Sequence, residues 1–158
     1  MRLRKVQRLR KAKRVSTVVK AKAVPASLAT RELTPQEILA KRGIVATDLE
    51  AIVYLWLERQ GYRDPQDFSF QSGVFGGRQE AGGQVADFIL YTARAYPLVI
   101  RVMGEHWHTG PDQQAKDEGA KSALEANGFE CVDVWERYLI QSPDYTMEQA
   151  LKGVELGQ

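Results

Sequence analysis

Between Gly82 and His108 the chain sets ionisable groups inside and just beyond two apolar runs. VADFIL carries Asp87, LVIRVM carries Arg101, and the second run gives way at once to Gly104-Glu105-His106-Trp107-His108. An ionised carboxylate inside a strand is expensive unless a cation or hydrogen-bond donors meet it. An acid, an arginine and two histidines gathered by neighbouring strands suit metal binding, phosphate binding and proton transfer. Carboxylates take hard cations, a guanidinium grips phosphate bidentately, and imidazole titrates near neutrality. The GEHWH cluster also suits a plain strand end, at which Trp107 packs and the histidines bond to backbone. No Cys or His spacing suits zinc, and the one cysteine, Cys131, falls in an apolar strand and reads as core.

The elements that must position these groups are legible from caps and periodicity. Thr34-Pro35-Gln36-Glu37 has capping-box form and opens a short helix to about Lys41. Thr47-Asp48-Leu49-Glu50 repeats the spacing and opens a longer one, with Leu49, Ile52, Val53, Trp56 and Leu57 on one face and Gly61 beyond its end. Glu50 lies beside that stripe, and its place in the cap is sufficient to explain it. Phe68–Gln71 alternates like a strand, Val85–Leu90 and Leu98–Met103 are strands, and Gln114–Ala126 is helical with Leu124 inward. A weaker strand covers Phe129–Trp135 and a last helix about Asp144–Lys152. Gly73, Gly76, Gly77, Gly82 and Gly83 crowd the stretch before Asp87, either as a close approach to a ligand or as a hairpin tip; the spacing is not that of a nucleotide-binding loop. The order of elements predicts an α/β layer sandwich with a mixed sheet.

Alternation places Val99, Arg101 and Met103 on one face of their strand, so Arg101 is expected to project beside Asp87. Asp117 and Lys121 stand four apart on one helix, where a salt bridge is the default.

Charge divides the chain. Residues 1–22 contain Arg2, Arg4, Lys5, Arg8, Arg10, Lys11, Lys13, Arg14, Lys20 and Lys22 and no acid, a charge of +10. All 20 acids lie from Glu32 onward against the other 12 basic residues, so that part carries −8. A dense basic arm without acids is suited to phosphate, and so to nucleic acid; a self-docking tail, a presequence and a protein-binding arm are the alternatives. The expected organisation is a basic extended arm over 1–33, an α/β domain over 34–140 and a C-terminal helix and tail over 141–158. No apolar run approaches the roughly 20 residues that span a bilayer. The single cysteine excludes an intrachain disulfide and suits a reducing compartment such as the cytoplasm.

Taken together, a helix carrying Glu50, a strand ending in Gln71, a Gly-rich turn into VADF, then VIRVMG…WH, Asp117-x₃-Lys121 and a last strand resemble the PD-(D/E)XK nuclease superfamily. The nearest likeness is to very-short-patch repair endonucleases and related small restriction endonuclease-like domains. It covers roughly Thr47 to Leu139 and implies a restriction endonuclease-like α/β/α sandwich and magnesium-dependent cleavage of DNA. It also implies that Asp87 and Glu50 hold Mg²⁺, that Gln71 stands on the preceding strand, and that His108 matches the histidine of the aromatic-Trp-His motif. Lys121, and Arg78 in the Gly-rich loop, would touch phosphate. The sequence departs from the pattern where Arg101 and Met103 occupy the places of the second acid and the lysine; Glu105 is then a displaced carboxylate, and Arg101 either neutralises Asp87 or steadies the scissile phosphate. These departures equally suit a nuclease fold that has lost catalysis and serves as an assembly component of a nucleoprotein particle such as a phage virion. Many relatives of the fold act as dimers, which leaves a homo-oligomer or an assembly partner open.

Overall fold

The computed structural model describes residues 31–74, 84–91, 95–105 and 111–157. The basic arm, Arg78 with most of the Gly-rich stretch, and both histidines lie outside the described residues. Leu33–Gln158 forms one compact unit.

Both capping boxes form. Thr34 caps helix α1 (Pro35–Lys41) and Thr47 caps helix α2 (Asp48–Arg59), each exchanging hydrogen bonds with the glutamate three residues on. Strand β1 (Phe68–Val74) pairs antiparallel with β2 (Gln84–Leu90), which pairs antiparallel with β3 (Leu98–Met103). After helix α3 (Pro111–Ala126), strand β4 (Glu130–Trp135) returns parallel to β3. The sheet order is β1-β2-β3-β4, a four-stranded mixed sheet in an α/β fold, as the order of elements predicts. Helices α4 (Glu136–Gln141) and α5 (Pro143–Leu151) follow. Helix α4, not expected from the sequence, has under two turns, and its cap makes no side-chain hydrogen bond. None of the described helices is long and apolar enough to cross a membrane.

Two apolar clusters hold the sheet. The larger joins Phe68, Phe88, Leu98, Ile100, Val132 and Val134 to Leu39 of α1, Val53, Trp56 and Leu57 of α2, and Met147 of α5. The smaller joins Ile89 and Val99 to Leu124 of α3, with Phe129 and Cys131 against them. Neighbouring residues such as Phe88 and Ile89, or Val99 and Ile100, thus serve opposite faces, the strand period at work. The face of α2 is wider than a single stripe: Ala51 and Tyr54 are buried while Leu49 and Ile52 are only partly so. The helix meets α1 and α5 as well as the sheet, where Tyr54 packs edge-on against Phe68 and Phe70. One further contact ties the layer: Asp144 accepts from Trp56 Nε1 at 2.7 Å and from Arg59 Nη2 at 2.8 Å.

Tyr54 also donates to Asp64 at 3.2 Å. Burial, then the Asp64 charge, pushes its pKa from 10.0 up to about 12. Because the folded state holds the phenol more tightly than the unfolded chain, its contribution to stability is intact below pH 10 and is lost as pH rises through about 12. Denaturant midpoints across that window should fall in the wild type and fall less in Tyr54→Phe; identical curves would remove the phenol as the cause.

Candidate functional site

The hairpin β1–β2 is irregular where the candidate acids lie. Pairs Phe70↔Phe88 and Ser72↔Ala86 flank Gln71 and Asp87, which therefore stand across from each other. Gln71 has φ 49, the sole non-glycine with positive φ among the described residues. A left-handed glutamine is strained, and such strain concentrates at functional sites. The hairpin changes partners at this level. Phe70 and Phe88 pack with the larger cluster, whereas Val74 and Ala86 pack with the smaller.

On the other side of β2 the ladder to β3 runs from Leu90↔Leu98 only as far as Phe88↔Ile100. There the half-buried Asp87 takes over: its Oδ2 accepts from the Val102 amide at 2.7 Å, so a side chain fills the place of the next ladder bond. An amide donor is one of the partners that make a carboxylate tolerable inside a strand.

Glu50 reaches the same region from α2. It is 8% exposed, its Oε2 accepts from the Thr47 amide at 2.7 Å, and Gln71 Nε2 lies 3.4 Å from its Oε1. Glu50 is thus both the cap of α2 and a link to β1. Gln71 connects it to the strand level of Asp87. Thr47→Ala removes the hydroxyl that accepts from Glu50 N. It should lower stability by about 1 kcal/mol in urea unfolding, with no change expected if the hydroxyl contributes nothing to the cap.

Arg101 points elsewhere than expected. Its Nε and Nη2 donate to Asp133 Oδ1 and Oδ2 at 2.6 and 2.7 Å, and its Nη1 donates to the Asp117 carbonyl at 2.7 Å. The parallel register of β3 and β4 sets Arg101 opposite Asp133, so the nearest strand neighbour that can take a bidentate guanidinium is on β4. Burial alone would lower the Arg101 pKa; the hydrogen bond and charge of Asp133 outweigh it and raise it. Asp133, 8% exposed, is the site-region residue that the sequence reading does not single out. The partners of Arg101 are therefore Asp133 and Asp117 O rather than the expected Asp87, and these bonds use three of its five N–H groups. Met103 is buried at 4% and brings no acid–base group.

These residues floor a cleft of about 290 Å³ between β3, β4 and α3, lined by Arg101, Met103, Asp117, Lys121, Asp133 and Glu155 among others. Lys121 lies 3.8 Å from Asp133 and pairs with Glu155, a residue beyond α5, where spacing along the helix suggests Asp117. Asp117 Oδ1 accepts from Gln113 at 3.0 Å. Glu105, read as a displaced carboxylate, is exposed; its amide donates to Glu136 and its carboxylate comes within 3.7 Å of Arg137 Nε. Cys131 is partly buried, and burial with the Glu125 charge pushes its thiol from 9.0 up to about 11. It is core in character, as expected.

Among the described residues no group of three or more His, Cys, Asp and Glu side chains is placed to hold a metal ion. Gln71 is bonded to Glu50 and stands across from Asp87 in the hairpin register. No family model, curated protein or solved structure matches this chain.

Proposed function

We propose that the chain is a nucleic-acid-binding protein of nuclease fold, and that Glu50 and Asp87 hold a magnesium ion for hydrolysis of DNA phosphodiesters. The observation that carries this reading is the left-handed Gln71, bonded to Glu50 and standing across from Asp87. The basic arm supports it from the sequence, since ten cations without an acid suit a polyphosphate.

The donor set fits that ion. Magnesium is usually held by one or two carboxylates with several waters retained. A carboxylate offers about four acceptor positions, more than one amide hydrogen bond occupies. When bound, magnesium polarises the phosphate and lowers the pKa of a coordinated water. The chain's own part is orientation: the Thr47 amide fixes Glu50 Oε2, Gln71 meets its Oε1, and the Val102 amide fixes Asp87 Oδ2. His108 is the residue proposed to give a proton to the leaving oxygen. Arg101 stiffens the floor beneath the site and does not hold phosphate.

A second reading has its own observation. Arg101 and Met103 stand where the nuclease pattern has an acid and a lysine, and both are absorbed into structure, the one by Asp133 and the other by burial. A catalytically inactive assembly component of a nucleoprotein particle, such as a phage virion, fits that loss. Incubation with nicked, mismatched and branched duplexes plus Mg²⁺ or Mn²⁺ separates the two. The enzymatic reading expects cleavage that Asp87→Ala abolishes and Gln71→Ala reduces. No cleavage, or cleavage indifferent to Asp87→Ala, leaves the assembly component. Manganese binding followed by electron paramagnetic resonance, lost in Asp87→Ala, reports the ion site apart from turnover.

A further inference from the structure

The segment after α5 places a carboxylate where neither the core nor the Glu50–Asp87 pair requires one. Helix α5 closes with Gly153 at φ 80, its amide bonding back to Ala150 O and the Val154 amide to Gln149 O. This left-handed cap turns the chain along β4: Lys152 and Gly153 stand with Glu130 and Cys131, and Glu155 stands with Asp133 and Trp135. Farther on, Gly157 has φ 96, and a Cβ built there would lie 2.7 Å from the Tyr138 hydroxyl. Only glycine lets the segment seat against α4. Seated so, Glu155 enters the cleft and takes Lys121, with side chains 14% and 20% exposed.

The two cations of the cleft are held differently. Arg101 and Asp133 are set opposite each other by the strand register. Lys121 is matched by an irregular segment outside sheet and helices, the class of structure from which local openings are drawn. A carboxylate on lysine is an anionic acceptor like a phosphate oxygen. With Glu155 in place the cleft carries two cations against four carboxylates, Asp117, Glu118, Asp133 and Glu155, and repels a phosphate. Lifting Glu155 out leaves three carboxylates and removes the shorter contact of Lys121, which keeps Asp133 at 3.8 Å. Val102, whose amide bonds to Asp87, lies in the strand between Arg101 and Met103, which line the cleft.

We infer that Lys121 is a site for a phosphate of the nucleic-acid backbone and that Glu155 is its built-in competitor, displaced when nucleic acid binds. This rests on the nucleic-acid reading proposed above and not on catalysis. The test measures affinity of the full chain for a duplex DNA by anisotropy, beside lysine footprinting by mass spectrometry. Glu155→Gln should tighten binding roughly tenfold, about the worth of one charge-assisted hydrogen bond. Gly157→Ala, which leaves Glu155 intact but lifts the segment from Tyr138, should shift affinity in the same direction. Lys121→Gln should erase the gain from Glu155→Gln, and duplex DNA should protect Lys121 from modification. Equal or weaker binding by both Glu155→Gln and Gly157→Ala, or a Lys121 that DNA does not protect, overturns the inference. Tighter binding by these variants without cleavage by any of them leaves it standing and counts only against the enzymatic reading.

Discussion

Arg101→Met should lower the unfolding free energy by about 3–5 kcal/mol, the loss expected when one member of a buried ion pair is removed. The side chains of Arg101 and Asp133 are 12% and 8% exposed and meet through two short hydrogen bonds. Without the guanidinium, the Asp133 carboxylate stays in the sheet with Lys121 at 3.8 Å as a cationic neighbour. That residual attraction places the expected loss toward the lower end of the range. Replacing both members by apolar residues of similar volume, Arg101→Met with Asp133→Leu, should recover most of the loss, since neither residue then leaves a charge behind. The measurement is a double-mutant cycle in urea with unchanged m-values. A single-variant loss under about 1 kcal/mol would match a solvated surface pair and would show that Arg101 and Asp133 are not desolvated together. The same cycle bears on function. If Arg101 held phosphate, Arg101→Met would weaken DNA binding in proportion to charge; as a structural pair, the stable double variant should bind as the wild type does.

The fold was largely readable because its signals are local. Each capping box names its own helix start within four residues, and the runs around Asp87 and Arg101 match β2 and β3 closely. What escaped reading depends on which strand lies beside which. Asp87 and Arg101 share an apolar setting in sequence, and antiparallel neighbours suggest that they meet; the parallel return of β4 offers Arg101 a second neighbour that spacing along the chain does not reveal. A signal was present even so. Asp133 is itself a charge inside a strand, on the Cys131 face, and two such residues of opposite sign invite pairing. The left-handed Gln71 leaves no trace in sequence, because glutamine is not a residue that chooses positive φ for itself. The Glu155–Lys121 contact is hidden for a similar reason, since it spans 34 residues and depends on a turn after α5.

Binding of the full chain to duplex DNA should weaken by about 10³–10⁵ between 50 and 200 mM salt, the range for six to ten phosphate contacts. The arm offers ten cations in its first 22 residues, and the remainder of the chain carries −8 and repels a polyanion. Affinity must therefore come almost wholly from counterions released by the arm, at a slope of about −0.9 in log affinity against log salt for each phosphate met. Substituting glutamine at Arg2, Arg4, Lys5, Arg8, Arg10, Lys11, Lys13 and Arg14 removes eight of those cations. The slope should then fall toward that of the two that remain, Lys20 and Lys22, and affinity at low salt should fall with it. A neutralised arm that leaves slope and affinity unchanged would assign DNA binding to the acidic body, against its charge. A slope near zero in the wild type would instead point the arm at a protein partner, whose recognition by apolar and hydrogen-bonding contacts responds only weakly to salt. The two proposed readings of the molecule both require the steep slope, for an enzyme must hold its substrate and an assembly component its packaged nucleic acid. They diverge in cleavage and in its dependence on Asp87, so the salt experiment decides the partner and the cleavage experiment decides the chemistry.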